Sequence, residues 1–196
     1  MSCLAAAVAV LIVVTAGCHG GSRSTSVQFT PSATAATPGL VKLVEKGRSG
    51  ARVVVDVLFF GPEPALDLTA FRFGVKIGDA GLVKFVPQGS YTQNALVADA
   101  GQTIAIDVDG ASDPSLVAVT VGKNGGGAGN GIAGDSAVVI ELSFEVQGSG
   151  MTTLTLGGLG NTPPEAVDST RARIGAVTFD AASAGVTGVT TGGGGY

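Results

Sequence analysis

From residue 52 onward the chain alternates apolar and polar side chains with a period of two. Val53, Val55, Val57 and Phe59 fall on one face and Asp56 on the other, as a strand with one buried face requires. A GPEP break at residues 61–64 ends this run. Phe71, Phe73, Val75 and Ile77 then alternate with Arg72, Gly74 and Lys76, the clearest half-buried strand of the chain. A GDAG turn at 78–81 precedes shorter strands expected at 82–86, 103–108 and 116–121, the second with Ile104, Ile106 and Val108 in register. A long strand follows in which Val138, Ile140, Leu142, Phe144 and Val146 face inward and Glu141, Ser143 and Glu145 face out. Residues 147–150 (QGSG) turn it, and further strands are expected at 152–156, 176–179 and 185–189.

The segment 39–45 holds Leu40, Val41, Leu43 and Val44 without a clear period, so it predicts either a first strand or a short turn. No stretch beyond the first 17 residues carries a sustained helical period with caps. About eight or nine short strands punctuated by Gly and Pro, without intervening helices, predict an all-β antiparallel β-sandwich over residues 39–190. A chain of 196 residues holds one such domain plus a leader, and its 45% hydrophobic and 13% charged composition excludes a disordered chain. The 32 glycines suit strands joined by glycine-rich loops, and residues 191–196 read as a disordered glycine-rich tail.

The start of the chain has a different pattern. LAAAVAVLIVV at residues 4–14 is uncharged and apolar, too short to span a bilayer, which takes about 20 such residues. Thr15, Ala16 and Gly17 are small and precede Cys18. Residues 1–17 therefore read as a signal peptide. The small residues before Cys18 resemble the lipobox of bacterial lipoproteins, which implies that Cys18 becomes the acylated first residue and the membrane anchor. Thr15 and the uncharged Met1-Ser2-Cys3 start depart from that pattern. The alternative is cleavage near Ala16 by a general signal peptidase, giving a secreted protein; export follows in either case. Residues 18–38, rich in Ser, Thr, Gly, Ala and Pro, read as the anchor cysteine and a flexible tether. With Cys3 in the leader and Cys18 acylated, the mature domain has no thiol for a disulfide or a thiolate metal site.

Four stretches resemble the cohesin domain and its relatives. They are RVVVDVLFFG from Arg52, LTAFRFGVKIGDAGLVKFV from Leu68, DSAVVIELSFEVQGSG from Asp135 and RIGAVTFDAASAGVTGV from Arg173. Cohesins are jelly-roll sandwiches that bind dockerins in cellulosomes and occur in other bacterial envelope proteins. The resemblance implies jelly-roll topology, no catalysis and a dockerin-like protein partner.

Candidate chemistry is sparse. Acid–base or nucleophilic catalysis of the common kinds needs an imidazole held in place, and the only histidine, His19, lies in the expected tether. Glu141 and Glu145 share an outward strand face and read as a solvated surface rather than a glycosidase pair. Gly129, Gly131 and Gly134 satisfy the spacing of a dinucleotide fingerprint, but a strand follows where a helix is required, so the run reads as a loop. Asp107, Asp109 and Asp113 in DVDGASD have some of the spacing of a calcium loop but no closing glutamate. They are the weak calcium candidates, and an Asp-Gly turn is the plainer reading. No other cofactor is expected.

A net charge of -4 with 11 basic residues excludes a nucleic-acid partner. Sugar platforms use exposed aromatic rings, whereas this chain has no Trp, two Tyr (Tyr91 and Tyr196), and eight Phe mostly at core positions. The expected function is thus a non-catalytic, cohesin-like protein-binding module on a lipid anchor at the outer membrane or cell surface. A carbohydrate-binding module is the second reading and a structural envelope lipoprotein the third.

Overall fold

The computed structural model describes residues 24–191, so the leader, Cys18, His19 and residues 192–196 lie outside the described residues. It is all-β, with 12 strands in two sheets. In chain order they are β1 (Ser24–Thr30), β2 (Leu40–Ser49), β3 (Arg52–Phe60), β4 (Ala70–Ile77), β5 (Val83–Val86) and β6 (Thr103–Asp109). The rest are β7 (Leu116–Asn124), β8 (Ser136–Val146), β9 (Gly150–Gly157), β10 (Glu165–Val167), β11 (Thr178–Phe179) and β12 (Ala184–Thr191). The large sheet runs β1-β12-β9-β4-β7-β6, with β10 also on β4; the small sheet runs β11-β2-β3-β8-β5. All pairs are antiparallel except β11 on β2, which makes the small sheet mixed.

The core fills the space between the sheets with the alternating residues. Val53, Val55, Val57 and Phe59 of β3 face Phe71, Phe73 and Val75 of β4, all fully buried. Phe59 meets Phe71 edge-on across the layers, with ring centroids 5.5 Å apart.

Three expectations need correction. The segment read as tether is ordered from Ser24. Val27 and Phe29 are buried, and β1 pairs along its whole length with β12, so the sandwich begins before residue 39. In β8 the register slips opposite Val57 and Leu58 so that Val139 is an extra residue. Ala137 and Val139 then point inward and Val138 outward, while from Ile140 the expected alternation holds. Finally, Ser143 is not a solvated outward residue. Residues 87–96 run along β8 beyond β5, bonding Asn94 and Ala95 N–H to Val138 O, while Gln88 Nε2 donates to Ser143 Oγ at 3.2 Å and buries it.

The outer face of the small sheet carries a charged group with one defect. Lys46 sits in a bulge of β2 and pairs with Glu141, beside Asp56. Asp56 Oδ1 is buried and has no hydrogen-bond partner among the described residues. Burial pushes the Asp56 carboxyl above the usual range, and Lys46 only partly offsets this. The folded state thus holds a proton that the unfolded chain gives up, so this group costs stability as pH rises through its raised value. Asp56→Asn is expected to raise the unfolding free energy near neutral pH by on the order of 1 kcal/mol. Urea titration should show that advantage fading as the wild-type carboxyl becomes protonated; an advantage independent of pH would point to some other origin.

Candidate functional site

Strand alternation decides what the large sheet shows to solvent. Its inner face takes Phe71, Phe73, Val75, Val117, Val119, Val121, Leu154 and Leu156. The outer face takes the intervening residues, aligned across strands by the pairing. Asp107, Thr120, Arg72 and Glu165 form one row; Asp109, Ala118, Gly74 and Gly157 form the next. Lys76 lies between Leu116 and Thr155 in a third. Six strands side by side at about 4.8 Å spacing make this face about 24 Å wide. Small residues keep its centre low. At Gly74 a Cβ would lie 2.6 Å from the end of the Leu116 side chain and 3.2 Å from Gly158 O and the Leu159 side chain, so a larger residue would push the leucines aside.

Met151 on β9 and Val189 on β12 stand out from this face at 76% and 39% exposure. They are two of only three large hydrophobic side chains exposed among the described residues, the third being Val97 in a loop. Both follow the outward parity of their strands, where Met151 lies opposite Thr187 and Val189 opposite Ser26. Val189 lies two residues beyond Thr187, the partner of Met151, so the two side chains are diagonal neighbours and form one small apolar spot on this face.

At the other end of the same face, where β10 lies beside the start of β4, is a cavity of about 400 Å³. Its wall includes Ala70, Arg72, Thr120, Lys123, Glu165 and Arg171. The wall is braced by Thr69, whose hydroxyl donates to Val167 O at 3.0 Å and Asp168 O at 2.7 Å, and whose carbonyl accepts Lys123 N–H at 2.9 Å. Asp168 organises the adjoining turn by accepting from Thr170 N–H, Thr170 Oγ1–H and Ala172 N–H. Those bonds hold its carboxyl below the usual range. Within that turn Arg171 adopts a left-handed backbone, φ 67°, which non-glycine residues seldom take.

Of the residues singled out by sequence, Asp107 and Asp109 lie exposed on β6 and Asp113 in the turn after it. The Asp109 carboxylate accepts from Ser112 Oγ–H and from the N–H groups of Ala111 and Ser112. Asp113 accepts from the N–H and hydroxyl of Ser115. Each is tied into its own turn, with its pKa lowered by those bonds, and no group of three metal-ligating side chains converges among the described residues. The glycine run is the loop that leads into β8, packed on residues 66–68 through Gly129 N–H to Asp67 and Gly131 N–H to Leu66 O. Tyr91 is half-buried in the strap along β8, and no aromatic side chain is exposed among the described residues.

No family model matches the chain, and no curated protein matches it in sequence. Solved structures match it in fold. A type II cohesin domain from the cellulosome of Acetivibrio cellulolyticus superposes with a TM-score of 0.50 at 10% identity, covering 73% of this chain and 92% of that one. The fold is cohesin-like. A type II cohesin dyad from the ScaA adaptor scaffoldin of the same organism gives a TM-score of 0.50 at 11% identity over 77% of this chain. This cohesin-like chain spans 48% of the dyad's length. Neither Met151 nor the Arg171 cavity was singled out by sequence: a lone methionine on a threonine-rich strand and an arginine in a turn carry no motif. The one signal for Met151 was its place on the polar side of the 152–156 alternation.

Proposed function

We propose that this chain is a non-catalytic binding module that presents the outer face of its large sheet to a protein partner, of dockerin-like kind as the cohesin-like fold suggests. The observation that carries the reading is the pair Met151 and Val189, exposed on a broad sheet face of mostly small residues. The outer face of the small sheet is less available, being strapped by residues 87–96 along β8 and occupied by the Lys46–Glu141 pair. A sugar platform is disfavoured because no aromatic ring is exposed among the described residues. The leader pattern and Cys18 support export and display from a lipid anchor.

The test is retention by the immobilised full chain of dockerin-bearing proteins and of a polysaccharide panel. Saturable retention of a protein is expected. Met151→Glu should weaken it about tenfold without changing the melting temperature, since an apolar anchor residue of an interface supplies more than about 1 kcal/mol of binding. Lys84→Glu, on the small sheet, should leave it unchanged. Retention of glycans alone, or weakening by Lys84→Glu and not by Met151→Glu, would overturn the assignment.

A further inference from the structure

The charges around the cavity beside β10 are unevenly matched. Arg72, Lys123 and Arg171 line it against one carboxylate, Glu165, and Glu165 already pairs with Arg72 at 3.4 Å. Lys123 belongs to the inward row of β7, opposite Ile104, and its Nζ is buried with no hydrogen-bond partner among the described residues. Two other carboxylates lie close by, and both are used elsewhere. Asp67 accepts from Ser169 N–H, Ser169 Oγ–H and Gly129 N–H, and Asp168 is bound into its own turn. Arg171 makes no ion pair among the described residues and is held at the rim by a backbone that an arginine rarely adopts. A second recess of about 240 Å³ shares Thr69, Lys123 and Arg171 with it and is also bordered by Asp168. In a chain of net charge -4, this gathers three cations around a space bordered by the one carboxylate of Glu165.

We propose that this cavity receives the carboxylate of an acidic side chain on the bound protein, gripped by the guanidinium groups of Arg171 and Arg72 above the buried charge of Lys123. The proposal rests on the reading of the large sheet as the docking face and names the chemistry of one contact on it. A guanidinium presents parallel N–H donors that match a carboxylate, and its planar fork loses little freedom per hydrogen bond formed. Free carboxylates of acidic glycans share this chemistry. The surrounding face, with small and threonine side chains and no exposed aromatic ring, favours a peptide over a sugar ring.

The probe is tetraglutamate, titrated into the full chain while the arginine side-chain NMR signals are followed. Saturable movement of the Arg171 and Arg72 signals is expected, with none from tetraglutamine. Arg171→Gly suits the left-handed backbone and so removes the side chain without added strain; it should weaken the peptide about tenfold. Arg48→Ala, on the small sheet, should leave it unchanged. Absence of saturation, or equal weakening by both variants, overturns the site. Saturation by oligogalacturonate but not by tetraglutamate overturns the protein assignment in favour of an acidic glycan. None of these arms needs the natural partner. A negative titration with partner retention still blocked by Met151→Glu would therefore remove this contact alone, whereas retention indifferent to Met151→Glu would remove the docking face.

Discussion

Replacing Phe71 with alanine is expected to lower the unfolding free energy by about 4 kcal/mol, which for a domain of this size means a melting temperature lower by roughly 8 to 16 °C. Phe71 is fully buried at the middle of the interlayer space, with its ring edge-on to Phe59 from the opposite sheet. The truncation removes most of a buried aromatic side chain and leaves a void bounded by strands that cannot close on it, since each is fixed by its neighbours' hydrogen bonds. Phe71→Leu refills much of the volume and should cost only about 1.5 kcal/mol. The Phe59→Ala/Phe71→Ala double variant should lose less than the sum of its parts, because the ring pair disappears once in each single variant. Urea titration of the four proteins checks this. Full additivity would mean that the two rings act independently and that the contact between the sheets lies elsewhere.

How much of this architecture the sequence revealed depends on how far each strand obeys the simple period. The strands at 52–60, 70–77, 103–109 and 116–124 were legible because one face is buried and the other is not, so polarity and position agree. β2 was ambiguous for a physical reason. Leu40 and Lys42 are buried on one side and Val41 and Leu43 on the other, so a strand covered on both faces loses its alternation. β1 was hidden because STSVQFT has only two apolar side chains; its partner strand is some 160 positions away, and much of its fit comes from hydroxyl pairs such as Ser24 with Thr191 at 2.7 Å. β10, of three residues, is too short to show any period. The bulge at Val139 could not be read from AVVIEL, because four successive apolar residues permit either phase.

The candidate site was legible only in outline. Acidic net charge, a single histidine and few aromatic residues were enough to turn the reading away from nucleic acid, catalysis and sugar platforms. The proposed docking face depends on which threonine-rich strands lie side by side, and on a methionine whose exposure is set by that arrangement. Asp180 was missed for a similar reason: nothing in its neighbours announces that residues far away in the chain cover it.

Asp180→Ala is expected to cost about 3 kcal/mol, because it breaks a buried charged cluster and leaves the remaining polar groups unsatisfied. The Asp180 carboxylate accepts from the hydroxyls of Ser32 and of Thr34, the latter at 2.9 Å, and from Ala182 N–H at 3.0 Å. Lys42 Nζ, also buried, donates to the carbonyls of Ser32 and Thr34, so the same two residues are held from both sides. This cluster fastens residues 31–38 over the parallel pairing of β11 with β2, where Asp180 N–H donates to Val41 O at 2.8 Å. Burial alone would raise the Asp180 pKa. The hydrogen bonds from Ser32, Ala182 and Thr34 and the charge of Lys42 outweigh it, and the carboxyl is held below its usual range. The folded state therefore binds this proton less readily than the unfolded chain does. Its contribution is fully present above the ordinary aspartate value of about 4 and fades as pH falls through the lowered one. Urea titrations of the wild type and the variant should show a wide gap in stability near neutral pH that narrows as pH falls below the ordinary aspartate range. A gap that stays constant into acid would mean that the carboxylate's charge does not hold the segment, and that the loss comes from packing around the missing side chain.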